Sequence, residues 1–317
     1  MYQLSSRAII GTFYKRLNEN AGMEWINAIS NYFTSDQDTE DYRWIGQSPV
    51  MREWVGGRHA KGFTTNGITI ENKHFEATLD IPVKHLRRDK TGQVKVRIGE
   101  LATRTNSHWA MLLSELVSKG EEQLCYDGKP FFADDHKEGK SGKQSNKVVF
   151  DLAKAAINGE VGSVEAPTEA ALRSAILAGI QQIVGFKDDQ GQPLNENASR
   201  FMVMVPVHLW LTAKACLAVP LSAGGATNPV KVLADLDIAV ASNPRLSGNK
   251  IYVFRADGDV KAFIRQEEEA VQIKAKAEGS EYEFDNDAHQ YGVDTWRNVG
   301  YGYWQHACLV SLTKTGS

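Results

Sequence analysis

Phe75, Ala77, Leu79, Ile81 and Val83 alternate with Glu76, Thr78, Asp80 and Pro82. A period of two sustained this long commits the stretch to a strand with one covered face. Ile68 and Ile70 repeat the pattern upstream, and the polar Glu71-Asn72-Lys73-His74 supplies a turn, so 68–83 reads as a projecting hairpin. A hairpin alone is marginal in water, so its apolar face requires a cover. From about Ile98 to Lys119, Leu101, Thr105, Trp109, Leu112 and Leu116 then share one narrow helical face, with Glu100, Arg104, Asn106, Ser107, Ser114 and Ser118 opposite. Hairpin and helix together leave apolar surface that the chain does not visibly bury, as in a subunit built for assembly. The surface expected to meet a neighbouring copy is Ile68, Ile70, Phe75, Leu79 and Ile81.

Size and charge narrow the alternatives. A chain of 317 residues holds one large domain or two modest ones. With 36 basic against 39 acidic residues, it is not a dedicated nucleic-acid binder of high pI. Cys125, Cys216 and Cys308 are odd in number and widely spaced, which points to neither a disulfide framework nor a zinc site and suits a reducing compartment. No basic-then-apolar leader and no long uncharged run suggests export or a membrane, so a soluble protein is expected.

Along the chain, Ile9, Ile10, Phe13, Tyr14 and Leu17 predict a short helix over 7–17. Thr168 is placed to cap a helix whose apolar face is Leu172, Ile176, Ile180 and Ile183. Arg200–Val205 and Lys250–Arg255 read as strands, and Pro206 opens a helix to about Leu217. From Val260 the pattern turns to strands, ending in 299–312, which is apolar on both faces and belongs inside a covered sheet.

The segment Tyr126-Asp127-Gly128-Lys129-Pro130-Phe131-Phe132, followed by Asp135-His136 and a polar loop to Lys147, adds a further signature. In order with Asn72-Lys73-His74-Phe75-Glu76, the long helix and the aromatic, glycine-punctuated C-terminal strand, it resembles the major head subunits of Mu-like phages and prophages over nearly the whole length. That resemblance implies an α+β, Hong Kong 97-type (HK97-like) capsid fold. Its expected parts are an N-terminal arm and the start of a peripheral domain (1–57), an extended hairpin loop (58–90), and a peripheral domain with a spine helix (91–149). An axial domain (150–258) and a β-rich return to the peripheral domain (259–317) complete it. The flexible Ser222, Gly224, Gly225 and Asn228 would form the tip at the capsomer centre. Implied partners are copies of the chain in hexamers and pentamers, scaffold, portal and decoration proteins, and packaged double-stranded DNA held non-specifically on the inner face. No membrane partner is expected. The location would be the virion, assembled in the bacterial host's cytoplasm.

Lys84, Arg87, Arg88 and Lys90, continued by Lys95 and Arg97, form a basic strip opposed only by Asp89. It would meet phosphate or an acidic patch on a neighbour, or serve simply as a solvated connector. Glu267, Glu268 and Glu269, with Glu278, Glu281, Glu283, Asp285 and Asp287, form the acidic counterpart. No catalytic motif occurs, and neither a metal nor a cofactor is expected. Two other readings stand beside the phage head. One is an encapsulin-like nanocompartment shell of the same fold. The other is a metal-binding hydrolase centred on Asp134, Asp135 and His136, whose flanking Lys137, Lys140, Lys143 and Lys147 oppose a cation.

Overall fold

A computed structural model describes residues 5–19, 24–43, 67–89, 91–155, 161–218 and 235–315. Near the N-terminus lie α1 (Ser6–Glu19), α2 (Glu24–Ile29), β1 (Ser30–Thr34), β2 (Thr39–Tyr42), β3 (Ile68–Glu71) and β4 (Lys73–Pro82). The short α3 (Val83–Arg88) leads to the long α4 (Gln93–Ser118). The middle of the chain supplies β5 (Lys147–Asp151), α5 (Glu169–Val184), β6 (Arg200–Val205), α6 (Val207–Ala218), β7 (Asp237–Ser242) and β8 (Lys250–Arg255). Last come β9 (Phe263–Lys276), α7 (Glu281–Asn286), β10 (Ala288–Tyr301) and β11 (Ala307–Thr313).

Two sheets organise these elements. The first has the order β1-β9-β10-β4 and the second β5-β11-β8-β6-β7. The 14-residue strands β9 and β10 run antiparallel and are joined through α7, giving the first sheet an elongated form. Helices α1 and α4 cover it: Ile9 and Phe13 of α1 and Val94, Ile98 and Ala102 of α4 pack with Ile81, Ile273, Tyr291 and Val293. The second sheet carries α5 and α6. Where α5 crosses it, a Cβ on Gly179 would lie 2.8 Å from Val253 and 2.9 Å from Val310, so only glycine permits this close approach of helix to sheet. The core continues from this sheet through Phe131, Phe132 and Trp304 to the C-terminal half of α4.

Several expected elements form where the pattern places them. Thr168 Oγ1 accepts from the Ala171 N–H at 3.4 Å, and Leu172, Ile176, Ile180 and Ile183 of α5 are buried. Helix α4 begins earlier than expected. Gly92 takes a left-handed φ of 76°, and the Asp89 carboxylate accepts from the N–H groups of Gln93 at 2.8 Å and Val94 at 3.1 Å. At 26 residues α4 is about 39 Å long. Its inward face is Val94, Ile98, Ala102, Thr105, Ala110, Leu113 and Val117, while Trp109 and Leu116 lie at its margin. Ser114, expected on the polar face, is buried: it donates to Ala110 O and accepts from Asn243 Nδ2 at 2.8 Å.

The projecting hairpin over 68–83 does not form. Strand β3 pairs antiparallel with β2, Ile68 opposite Tyr42, whereas β4 lies along β10 from Lys73 opposite Arg297 to Pro82 opposite Ala288. Alternation identifies a strand with a covered face but not its partner, and the long β10 offers more ladder than the four residues of β3. Pro82 sits at the end of an edge strand, where its missing N–H costs no ladder bond. A second correction concerns the C-terminus. The run 299–312 breaks at Gly302 and the turn Trp304–His306, so β11 leaves the first sheet and becomes an inner strand of the second, between β5 and β8.

Candidate assembly surfaces

The apolar residues expected to meet a neighbour are largely used within the chain. Ile81 is 6% and Ile70 3% exposed, each inside a core cluster, and Leu79 packs at the edge of the α1–α4 core. Phe75 is half-buried with its ring edge-on to His108, centroids 4.3 Å apart. Ile68 is likewise half-buried, against the β2–β3 cluster. Ile70 and Ile81 are therefore withdrawn as contact residues, because the sheet and α4 supply the cover that the alternation demands.

What anchors sheet to helix is a cationic and aromatic cluster that periodicity does not show. Arg297, 2% exposed, donates from Nε to His108 Nδ1 at 3.0 Å and from its terminal nitrogen to Thr105 O at 3.2 Å. Its guanidinium lies 4.6 Å from the centre of the Trp109 ring and 3.7 Å from a Glu267 oxygen. Tyr32 donates to Glu267, and Arg265 stands over both Tyr32 and Trp109. Burial brings Arg297 down to about 10, although the Glu267 charge opposes the shift. Burial, with the Arg297 charge, brings His108 down to about 4, so its Nδ1 is a standing acceptor at neutral pH.

The residues 134–136 do not converge. Asp135 pairs with Lys129 at 2.6 Å, Asp134 accepts from Ser145, and His136 turns inward to stack on Trp304 at 4.1 Å. His136 Nδ1 and Cys125 Sγ instead meet the Asp127 carboxylate at 2.6 and 3.0 Å, and the three donor groups lie within 4.8 Å of one another. Burial and the Asp127 charge push the Cys125 thiol up. Burial raises the Asp127 carboxyl, but the hydrogen bonds from His136 and Cys125 outweigh it and hold the group below the ordinary range. The Asp127 carboxylate thus holds His136 and Cys125 and accepts from the Lys129 N–H, fixing the Tyr-Asp-Gly-Lys-Pro turn, while the buried His136 Nε2 has no partner among the described residues; the hydrolase centred on 134–136 loses its geometry.

Lys84, Arg87 and Arg88 are exposed on α3; Lys90 and the tip residues Ser222, Gly224, Gly225 and Asn228 lie outside the described residues. The acidic counterpart divides. Glu267 serves Arg297, and Glu283 pairs with His289 at 2.9 Å, whereas Glu281, Asp285 and Asp287 are exposed on and beside α7. Helix α7 adjoins the strip: the Val83 N–H donates to Asp287 O at 2.8 Å, and the Tyr282 hydroxyl donates to Asp80 at 3.0 Å.

Comparison with known proteins places these features in a family. The model of the Mu-like prophage major head subunit gpT matches residues 6–156 and 238–315. The major capsid protein of Escherichia phage Mu is 31% identical over 110 residues, 35% of this chain and 36% of that one. The Mu-like prophage FluMu major head subunit of Haemophilus influenzae is 28% identical over 119 residues, 38% of this chain and 39% of that one. The aligned part thus spans little more than a third of these relatives' length. The procapsid of bacteriophage JBD30 superposes with a TM-score of 0.54 at 21% identity, covering 98% of this chain and 76% of that one, which establishes the HK97-like capsid fold.

Proposed function

Since the chain belongs to the family of Mu-like prophage major head subunits, we propose that it builds the head shell of a tailed phage or prophage, with copies closing into the hexamers and pentamers of an icosahedral shell around double-stranded DNA. The observation that carries this reading is the family match, which takes in both the elongated sheet with α4 and the C-terminal strands of the second sheet. The work is mechanical: repeated contacts between identical surfaces close into rings and then a shell. Because the match is to a phage head subunit, it favours that reading over a nanocompartment shell.

In this reading the first sheet and α4 are the peripheral domain, and the unit of α5, α6 and the second sheet is the axial domain. Scaffold and portal proteins would act during assembly in the bacterial cytoplasm, decoration proteins would bind outside, and the product would be the virion. Electron microscopy of the purified chain is the direct test. Closed shells, rings or tubes are the expected result; a monomer at every concentration and salt would refute the proposal.

A further inference from the structure

Phe284 is 90% exposed, the most exposed large apolar side chain among the described residues, on a six-residue helix otherwise made of Glu281, Tyr282, Glu283, Asp285 and Asn286. A lone exposed aliphatic residue needs no explanation, but an uncovered aromatic ring amid carboxylates has the composition of an interface anchor. Ser280 caps the helix, accepting from the Glu283 N–H at 3.2 Å, and the bonds of Asp287 O and Tyr282 described above fix it to α3 and β4. The ring is held outward by a braced support.

Beside that helix is a groove of about 560 Å³ whose lining includes Leu79, Pro82 and Val94 together with His85, Arg88 and Arg97, within the range of volumes that enclose small ligands or a few side chains. The two carboxylates that also line it are engaged, Asp89 in capping α4 and Asp80 with Tyr282. Among the described residues, no ion pair engages Lys84, Arg87, Arg88 or Arg97, and none engages Glu281, Asp285 or Asp287. An acidic knob with an apolar centre therefore adjoins a groove lined by basic and apolar side chains, and neither set of charges is answered among the described residues.

We infer that α7 of one copy docks in the α3–α4 groove of a second copy, with Phe284 seated on Leu79, Pro82 and Val94 and its acidic neighbours facing Arg88 and Arg97. Because knob and groove adjoin, a two-fold axis between the copies makes the exchange reciprocal, so one contact buries two rings and neutralises two charge clusters. This rests on the shell-building reading and names one of its contacts. Opposed charges set the register; the ring, once desolvated, slows dissociation.

The test co-expresses two variants that each add one cysteine, Phe284→Cys and His85→Cys, one of them carrying a mass tag, followed by mild oxidation. The natural Cys125, Cys216 and Cys308 are buried, and both substituted positions are exposed, so folding and background cross-linking are little affected. A mixed dimer is expected at least fivefold above a control pairing Phe284→Cys with Val149→Cys, which is 73% exposed on the second sheet. Arg88→Glu or Asp285→Lys added singly should cut the yield about threefold, and the two together should restore it. A mixed dimer no more abundant than the control overturns the inference, including the case in which a different protein fills the groove. Microscopy of the same samples separates the two readings. Shells without the cross-link sink only this contact, whereas cross-linked dimers that never close into shells support the contact and count against the shell.

Discussion

Replacing Arg297 with Met isolates what holds the elongated sheet to α4. Met occupies a similar volume with no charge, so the substitution removes two hydrogen bonds, to His108 and Thr105, and the ion pair to Glu267, while filling most of the space. Glu267, with a side chain 12% exposed, keeps the Tyr32 hydroxyl and the nearby Arg265 charge. Removing one member of a buried pair costs roughly 3–5 kcal/mol because the remaining charge is uncompensated. The Tyr32 hydrogen bond and the retained packing on Trp109 place the expected loss at the lower end, about 3 kcal/mol. Arg297→Lys should recover little, since a single ammonium cannot reach His108, Thr105 and Glu267 in three directions. Arg297→Met combined with Glu267→Gln should recover part of the loss by removing the stranded charge. Urea denaturation followed by the fluorescence of the chain's seven tryptophans, Trp109 among them, reads the effect. A loss under about 1 kcal/mol for Arg297→Met, or full rescue by Lys, would show that the cluster is incidental to sheet attachment.

Two further predictions follow from burial. Protonation of His108 destroys the acceptor that Arg297 uses, and its folded value of about 4 lies below the unfolded one. Above the unfolded value both states are neutral; between it and about 4 the unfolded chain takes up the proton first, so stability falls as pH drops through that window and levels off below it. At pH 5 the loss is about 1 kcal/mol after discounting for the ring's partial exposure, and His108→Gln should flatten the pH dependence of the urea midpoint; an unchanged slope would count against it. Separately, Phe75→Asp with Leu79→Asp should lower the denaturation midpoint by an amount equivalent to roughly 2–4 kcal/mol, because both side chains pack within their own chain. A double variant as stable as the parent but unable to assemble would instead restore the view that this face meets a neighbour.

How much of this was legible in the sequence depends on the distance over which each feature is determined. Local signals carried α5 with its Thr168 cap, and strands β6 and β8, because periodicity and capping act over a few residues. The start of α4 was missed because Val94, Lys95, Val96 and Arg97 alternate like a strand, while the real signal is Asp89 followed by Gly92. The partner of β4 was misjudged for a different reason. Alternation over 75–83 reports a covered face, and proximity in sequence suggested β3, but the ladder is made with a strand more than 200 residues away. The Arg297 cluster left no periodic trace, since its members come from β1, α4, β9 and β10, and Phe284 gave none because one aromatic residue among acids breaks no rule of composition.

The correction at β4 also changes how assembly would be driven. Had the alternating face been reserved for a neighbour, the subunit would depend on assembly for part of its core. With Ile81 and Ile70 buried within the chain, that part of the core needs no neighbour, and association in the proposed shell would draw on what remains outside. Among the described residues that remainder is dispersed and includes Phe284 on α7, Val149 on β5, Val96 and Met111 on α4, Leu124 beyond it, and Val207 with Leu211 one turn apart on α6. Small separated apolar anchors ringed by charge make individually weak contacts, far from the large hydrophobic interfaces of obligate dimers. Weak contacts repeated around the closed rings of the proposed shell would still add up to a stable assembly, because each added copy satisfies several at once. They also let a misplaced subunit leave before the ring closes.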